Sequence, residues 1–311
     1  MKVIVTGGNG FVGRHTIRLL VERGHEVRCV DVRADRESTE VPYLYVDLTD
    51  KHQVWHAFQG YEAIVHLGEI PHLIGSMPPD RVFAHNATAG TCVMQTAADL
   101  GFSKAVYASS CQVYGAWGDP VRRPDYLPID ERHDLHPRNA YAAGKVANEV
   151  YGRMIAESTP MAVAAMRFPY VWGRWGRVSR QWERHILGST EPRDGMATYV
   201  TASDLAEGIL AVLESDIQGF EAFNVATAGI LSGHPVREYL AAAFPDYPEM
   251  PASFGENQAP IDTSKLTAHT GWRSKSDVVA ELRAEIEAEK SGDQPGTGTV
   301  CRFDLQGAGN P

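Results

Sequence analysis

Tyr141 and Lys145 are the residues whose types and spacing point most directly to chemistry. They stand four positions apart in a segment with helical periodicity, so both side chains project from one face of a helix. A nearby ammonium favours the phenolate, and a phenol whose pKa is lowered in this way can act as a base at neutral pH. Ser110 ends a predicted strand and would open toward the same cleft, where its hydroxyl can hydrogen-bond a substrate oxygen. The three residues predict a site for acid–base chemistry.

A glycine-rich turn near the amino terminus predicts dinucleotide binding. Gly7, Gly10 and Gly13 lie where a short strand ends and a helix opens. Backbone N–H groups at such a helix start face an incoming pyrophosphate, and glycine lets the backbone come close. Asp31 follows Gly13 by 18 residues, at the end of the second predicted strand, where its carboxylate can accept hydrogen bonds from the adenosine ribose. The pattern predicts NAD as the cofactor.

The acidic residues after the strands favour NAD over NADP. Asp31 would repel the 2′-phosphate of NADP, although Arg33, two residues later, could partly offset that repulsion. Asp47 follows the third predicted strand and has two open interpretations, because it could reach the adenine edge or cap a surface helix.

The elements that position these residues alternate between short apolar strands and longer helices. Such alternation is typical of parallel strands joined by right-handed crossovers. The sequence therefore predicts an α/β fold with a Rossmann-type, doubly wound parallel sheet. Predicted strands cover 2–6, 26–31, 43–46, 63–66, 105–109 and 162–168, and predicted helices cover 11–21, 51–58, 82–100 and 139–157.

Beyond Phe168 the alternation weakens, which predicts a smaller α+β portion for substrate recognition. Helices at 203–214, 236–243 and 277–290 and a strand at 222–225 are predicted there. We expect a cofactor domain at 1–168, a substrate-binding portion at 169–290 interleaved with it, and a tail at 291–311. The proline-rich stretch between Tyr114 and Tyr141 predicts a long surface loop beside the site.

Composition argues against several classes of protein. The chain has 311 residues, and its 29 Lys and Arg against 39 Asp and Glu give a net charge of −10, which disfavours nucleic-acid binding. No run approaches the ~18 consecutive apolar residues that a membrane span requires. The four cysteines form no CxxC pair, so neither a disulfide framework nor a metal site is predicted, and a cytoplasmic location is expected.

Taken in order, these features resemble the extended short-chain dehydrogenase/reductase family, which contains sugar epimerases, dehydratases and dehydrogenases. The resemblance covers roughly residues 1–290. It rests on TGGNGFVG at 6–13, DL at 47–48, HLGE at 66–69, SSCQVYG at 109–115, YAAGK at 141–145, RFPYVWG at 167–173 and YVTASDLA at 199–206, together with Asp31 and Asn86.

The resemblance implies roles for individual residues. Tyr141 would be the acid–base residue, Lys145 would hold the nicotinamide ribose and tune the tyrosine, and Ser110 would orient the substrate. It also implies a homodimer formed through the helices at 82–100 and 139–157. The residues implied to bind NAD are Gly7, Gly10, Phe11, Val12, Gly13, Asp31, Asp47, Leu48, Leu67, Gly68, Tyr141, Lys145 and Pro169.

Departures from the family's pattern narrow the chemistry. Ser110-Cys111-Gln112 stands where the 4,6-dehydratases carry Thr-Asp-Glu, and neither Cys nor Gln supplies a carboxyl group to protonate a leaving hydroxyl. Sugar dehydration by that route is therefore not expected. Glu69 replaces an alanine and puts a carboxylate near the cleft, where it could contact sugar hydroxyls or merely sit on its loop. The candidate substrate contacts are Glu69, Ser110, Cys111, Gln112 and Arg174.

A further departure is the length of the segment from Gly173 to Tyr199. Only 26 positions separate Gly173 from Tyr199, whereas nucleotide-sugar members carry a long insertion there that clamps the nucleotide. This shortness is similar to the uronate-dehydrogenase-type branch, which acts on free sugar acids or other small polyols. Arg174 is the first choice as a ligand for a substrate carboxylate or phosphate, because a guanidinium fork suits such groups.

Our hypothesis is an NAD-dependent enzyme that removes hydride from a carbinol carbon of a sugar or sugar-acid-like small substrate. The alternative is a nucleotide-sugar epimerase with tightly bound NAD, and the sequence does not decide between the two. A non-catalytic dinucleotide sensor is disfavoured because Tyr141 and Lys145 are both present. An NADPH-dependent carbonyl reductase is disfavoured by Asp31.

Overall fold

The strands of the computed structural model confirm the predicted sheet. The structure describes residues 1–34, 41–71, 77–117, 122–173, 187, 196–245, 250 and 253–291. Its strands are β1 (Lys2–Thr6), β2 (Glu26–Asp31), β3 (Tyr43–Tyr45), β4 (Ala63–His66), β5 (Lys104–Ser110), β6 (Ala162–Phe168), β7 (Tyr170–Trp172), β8 (Tyr199–Thr201) and β9 (Phe220–Asn224). Seven of them form one sheet in the order β3-β2-β1-β4-β5-β6-β9. Every pairing in this sheet is parallel, as expected for a doubly wound fold.

Helices cover both faces of the sheet. Alternate residues of β1 face opposite layers, because Val3 and Val5 belong to one apolar cluster, whereas Ile4 belongs to the other. No helix in the described part of the chain is long and apolar enough to cross a membrane. The helices are α1 (Phe11–Glu22), α2 (Lys51–Phe58), α3 (Pro79–Asp99), α4 (Ala140–Ser158), α5 (Ala202–Glu214), α6 (Val236–Ala243), α7 (Ser264–Thr270) and α8 (Val278–Ser291).

The segment between Tyr114 and Tyr141 differs from the expected surface loop. In its described part, Trp117, Leu127 and Ile129 are buried in an apolar cluster with α6. Ile129 also bonds on both sides to the segment before α7, with its N–H donating to the Pro260 carbonyl at 2.8 Å. The burial of these residues could not be predicted from the sequence, because a proline-rich stretch without helical or strand periodicity is typical of a solvent-exposed connection.

Three short elements were not predicted from the sequence. β7, β8 and α7 have only three to seven residues, too few to display a hydrophobic period. β9 follows residue 168 in the chain but pairs with β6, so the carboxyl-terminal part completes the sheet of the amino-terminal part. The division into a cofactor domain and a substrate-binding portion stays a prediction. The expected tail from residue 292 onward and Arg174 lie outside the described residues.

A buried ion pair ties α4 to the sheet. Glu149 of α4 accepts two hydrogen bonds from the Arg167 guanidinium of β6, at 2.9 and 2.6 Å, and both side chains are only 5% exposed. Ser109 donates to the same carboxylate at 2.5 Å, and Arg167 also donates to the Tyr114 hydroxyl at 2.9 Å. This bidentate pair fixes the height of α4 over the ends of β5 and β6.

Replacing Glu149 by alanine is expected to lower the free energy of unfolding by about 3–5 kcal/mol, because Arg167 would remain buried without its counter-charge. Urea unfolding followed by circular dichroism measures the loss. Glu157→Ala, on the exposed face of the same helix, is the control and should change stability by less than about 0.5 kcal/mol. Equal effects of the two substitutions would contradict the structural role of the pair.

Candidate active site

The carboxyl ends of the parallel strands bring the predicted residues to one edge of the sheet. β1 ends at Thr6 before the glycine turn, β2 at Asp31, β4 at His66 and β5 at Ser110. The strand order reverses between β1 and β4, and in doubly wound sheets ligands bind at such a switch point. The fold therefore gathers the glycine turn and the acid–base residues, which are distant in sequence, along this edge.

The glycine turn depends on close approach of backbone to backbone. Gly7 has φ of +65°, and a Cβ there would lie 2.7 Å from the backbone of Leu67 and Gly68. A Cβ on Gly13 would lie 2.3 Å from the Gly7 carbonyl oxygen. α1 starts directly after Gly10, which offers no side chain to cap the first N–H groups. These N–H groups are the donors that a bound pyrophosphate would use.

Asp31 is held at the end of β2 by two backbone donors. Its Oδ2 accepts from the Asn9 N–H and its Oδ1 from the Arg33 N–H, both at 3.0 Å, and the residue is 5% exposed. Each carboxylate oxygen keeps a further lone pair for a ribose hydroxyl. The Arg33 side chain is 70% exposed, and its Nε lies 3.9 Å from Oδ1, so it is a weak offset to the negative charge.

Asp47 and Leu48 follow β3 at the same carboxyl edge of the sheet. Asp47 accepts from the Thr49 N–H at 2.9 Å and from the Thr49 hydroxyl at 2.7 Å, and these bonds hold the pKa of Asp47 below its usual range. Asp50, rather than Asp47, caps α2. Leu48 is buried, and its Cδ1 would lie 2.5 Å from a Cβ on Gly68. The contact of Asp47 with adenine stays a prediction.

Tyr141, Ser110 and Lys145 are brought together as the sequence predicts. The Lys145 Nζ lies 5.3 Å from the centre of the Tyr141 ring, and the side chains of Ser110 and Lys145 both act on the Tyr141 hydroxyl. Lys145 also donates to the Ala108 carbonyl at 2.7 Å. The pKa of Tyr141 is raised, not lowered as the sequence predicts, because burial outweighs the Lys145 ammonium and the Ser110 hydroxyl, which act against the rise. The arrangement can pass a proton between the phenol and a bound hydroxyl.

Gln112 and Cys111 have structural partners. Gln112 Oε1 accepts from Asn139 Nδ2 at 3.0 Å, and Asn139 caps the start of α4 by accepting from the Ala142 N–H at 2.9 Å. Gln112 thus helps to position the turn that carries Tyr141. Cys111 is completely buried, and its thiol donates to the Arg167 carbonyl at 3.5 Å. This burial argues against the predicted contact between Cys111 and a substrate.

Glu69 has a partner that the sequence does not indicate. Its carboxylate forms an ion pair with the Lys145 ammonium, and it accepts a hydrogen bond from Asn148 Nδ2 at 3.2 Å. Only 4% of the Glu69 side chain is exposed. No sequence motif points to Asn148, although it lies three positions after Lys145 on the same helix and so shares its face.

The remaining predicted residues border the glycine turn or lie outside the described chain. Phe11 packs against Gly173, where a Cβ would lie 1.9 Å from the end of the ring, so a larger residue at 173 would require the Phe11 side chain to move. Val12 follows in the first turn of α1 and is half-buried, and Pro169 is buried directly after β6. Arg174, the candidate substrate ligand, is outside the described residues.

Comparison with known proteins identifies the class. Residues 3–226 match the family model described as the NAD dependent epimerase/dehydratase family, and the chain belongs to that family. UDP-glucose 4-epimerase 3 of Oryza sativa subsp. japonica is 28% identical over 277 residues, which cover 73% of this chain and 72% of that protein.

Solved structures agree with this assignment. The Thermus thermophilus UDP-glucose 4-epimerase in complex with NAD has a TM-score of 0.68 and 27% identity, and the match covers 93% of this chain and 99% of that one. A mutated uronate dehydrogenase has a TM-score of 0.65 and 20% identity over 93% of this chain and 86% of that one, a likeness of fold. The chain is an NAD-dependent enzyme of the extended short-chain dehydrogenase/reductase type.

Asp31 is expected to make the chain bind NAD at least about tenfold more tightly than NADP, because a 2′-phosphate would face its carboxylate. Asp31→Ser should narrow that ratio to within about threefold, as measured by calorimetric titration of both dinucleotides. Glu26→Gln removes the same charge at the opposite end of β2 and should leave the ratio unchanged. A wild-type chain that prefers NADP would refute the assigned role of Asp31.

Proposed function

We propose that the chain removes a hydride from a carbinol carbon of a sugar or sugar-acid-like substrate, with NAD as the acceptor. The observation that carries the proposal is the convergence of Tyr141, Ser110 and Lys145 at the carboxyl edge of the sheet, where the Lys145 Nζ lies 5.3 Å from the centre of the Tyr141 ring. This constellation suits removal of a proton from a hydroxyl group on the carbon that is oxidised.

In the proposed mechanism, each residue has a separate task. The Ser110 hydroxyl binds the substrate oxygen and orients the carbinol toward the cofactor. Tyr141 accepts the hydroxyl proton, and Lys145 keeps its ammonium beside the phenolate while anchored on the Ala108 carbonyl. Bound NAD supplies the acceptor for the hydride. Because the phenolate is the active form of Tyr141, turnover should fall as the pH drops and the phenol becomes protonated.

The substrate we favour is compact. Tyr199 follows Gly173 by only 26 positions, which leaves little chain to enclose a nucleotide, and the guanidinium of Arg174, the next residue in the sequence after Gly173, is our candidate ligand for a substrate carboxylate. Glu69 and Gln112 remain candidate substrate contacts within this proposal. The second candidate is epimerisation of a nucleotide sugar, which is favoured by the matched relatives named UDP-glucose 4-epimerase.

A homodimer and a cytoplasmic location also belong to this proposal. The α3–α4 face exposes large apolar side chains, with Phe83 40%, Val150 65% and Met154 42% exposed, which suits contact with a second copy. Among the described residues, Cys29, Cys92 and Cys111 form no disulfide, which is typical of proteins in a reducing compartment.

Incubation of the chain with NAD and a panel of uronates, aldoses and UDP-sugars separates the two candidates. We expect reduction of NAD, followed by its absorbance, with at least one free sugar acid or aldose. Chromatography of the sugars measures isomer interconversion in the same samples. Interconversion of a UDP-sugar, without net NAD reduction by any free sugar, would contradict the dehydrogenase and favour the epimerase.

Tyr141→Phe is expected to lower kcat by about 10²–10⁴-fold while the affinity for NAD changes by less than about threefold, because only the proton-accepting hydroxyl is lost. Steady-state kinetics and calorimetric titration measure the two quantities. Tyr151→Phe on the same helix removes a hydroxyl that donates to Gln95 instead, and should leave kcat unchanged. Undiminished turnover in the Tyr141 variant would instead support a site that does not use this base.

A further inference from the structure

A buried carboxylate lies against the ammonium that supports the proposed base. Glu69 and Lys145 form an ion pair in which 4% and 2% of the side chains are exposed. The Lys145 ammonium also contacts Tyr141 and the Ala108 carbonyl oxygen, so its donors are directed to groups of the protein. Each charge is tolerated in the interior because the other is present.

The fold fixes the position of Glu69 without a ligand. Asn86 holds the backbone of Ile70, the residue after Glu69. Its Oδ1 accepts from the Ile70 N–H and its Nδ2 donates to the Ile70 carbonyl, both at 2.9 Å. Asn148 Nδ2 donates to the Glu69 carboxylate and to the Asn86 carbonyl, each at 3.2 Å. The loop backbone is thus held from α3, and the Glu69 carboxylate is held from α4.

We propose that Glu69 is a positioning residue that holds the Lys145 ammonium beside Tyr141 and offsets its charge, so that Tyr141 keeps its proton in the free protein. The inference rests on the proposed function of Tyr141 as the base. An ammonium paired with a carboxylate attracts a phenolate less than an unpaired ammonium does. The pair thus makes proton release from Tyr141 depend on charge that arrives with bound ligands.

The proton affinities of the site agree with this geometry. Burial and the Glu69 carboxylate raise the pKa of Tyr141, whereas Lys145 acts against them. Burial alone would lower the pKa of Lys145, but Glu69 and Tyr141 more than offset it, and the pKa is raised. His66 stays neutral near the pair, because burial lowers its pKa to about 3. Among the described residues, the further titratable or charged groups that act on His66 or on Tyr107 of β5 beside the pair are His85 of α3, Glu149 and Arg153 of α4 and Arg167 of β6.

Titration of tyrosinate absorbance tests this role without a substrate. The chain has 12 tyrosines, and the difference between each protein and its counterpart carrying Tyr141→Phe isolates the Tyr141 signal. Glu69→Gln keeps the side-chain shape but removes the charge, and we expect the Tyr141 midpoint to fall by at least about one pH unit. Glu69→Ala, which leaves no amide beside the ammonium, should shift the midpoint in the same direction.

Glu157→Gln, on the exposed end of α4, is the matched control and should leave the Tyr141 midpoint unchanged. A second readout is the acid limb of the kcat/KM profile, which should move to lower pH in both Glu69 variants. An unchanged or higher midpoint in natively folded Glu69 variants would overturn the proposal, since a purely structural residue alters stability alone. A lowered midpoint in a chain that oxidises no sugar would support this role of Glu69 and refute the proposed function.

Discussion

The Lys145 ammonium lies in the protein interior, and the site depends on how that charge is accommodated. A buried cation is tolerated only where acceptors and an opposite charge surround it. β5 supplies the Ala108 carbonyl, the loop after β4 supplies Glu69, and α4 itself supplies Tyr141 one turn before the lysine. The same contacts that stabilise the ammonium therefore place the phenol where the strand ends meet.

The position of α4 follows from close packing and from a second buried charge pair. A Cβ on Gly90 of α3 would lie 2.4 Å from the Asn148 amide, so the two helices touch at a residue without a side chain. The next residue of the helix, Glu149, binds the Arg167 guanidinium of β6 through its carboxylate. The glycine turn is fixed in a comparable way, by the approach of Gly7 to the segment that follows β4. The dinucleotide and acid–base parts of the site thus share β4 and its loop as a common support.

Local patterns predicted most of this framework, and contacts between distant segments account for what they missed. The alternation of strands and helices and the glycine turn correctly predicted β1, α1 and β2, with Asp31 at the end of its strand. These elements are determined by residues that are close together in the sequence. Nothing in the spacing of Glu69 and Asn148, 79 residues apart, indicates that they bond. The burial of Ile129 likewise depends on packing against carboxyl-terminal segments, and Cys111 is held by its bond to Arg167 of the neighbouring strand β6. Residue types alone specify neither contact.

The central claim is that Tyr141 and NAD together oxidise a carbinol carbon, and transfer of a label tests it most directly. A sugar acid that carries deuterium on that carbon would be incubated with the chain and NAD, and both products would be analysed by mass spectrometry. We expect deuterium in the reduced nicotinamide and an oxidised sugar that has lost it. Oxidation with the deuterium released to solvent, or failure to oxidise any sugar acid or aldose while NAD is bound, would contradict it.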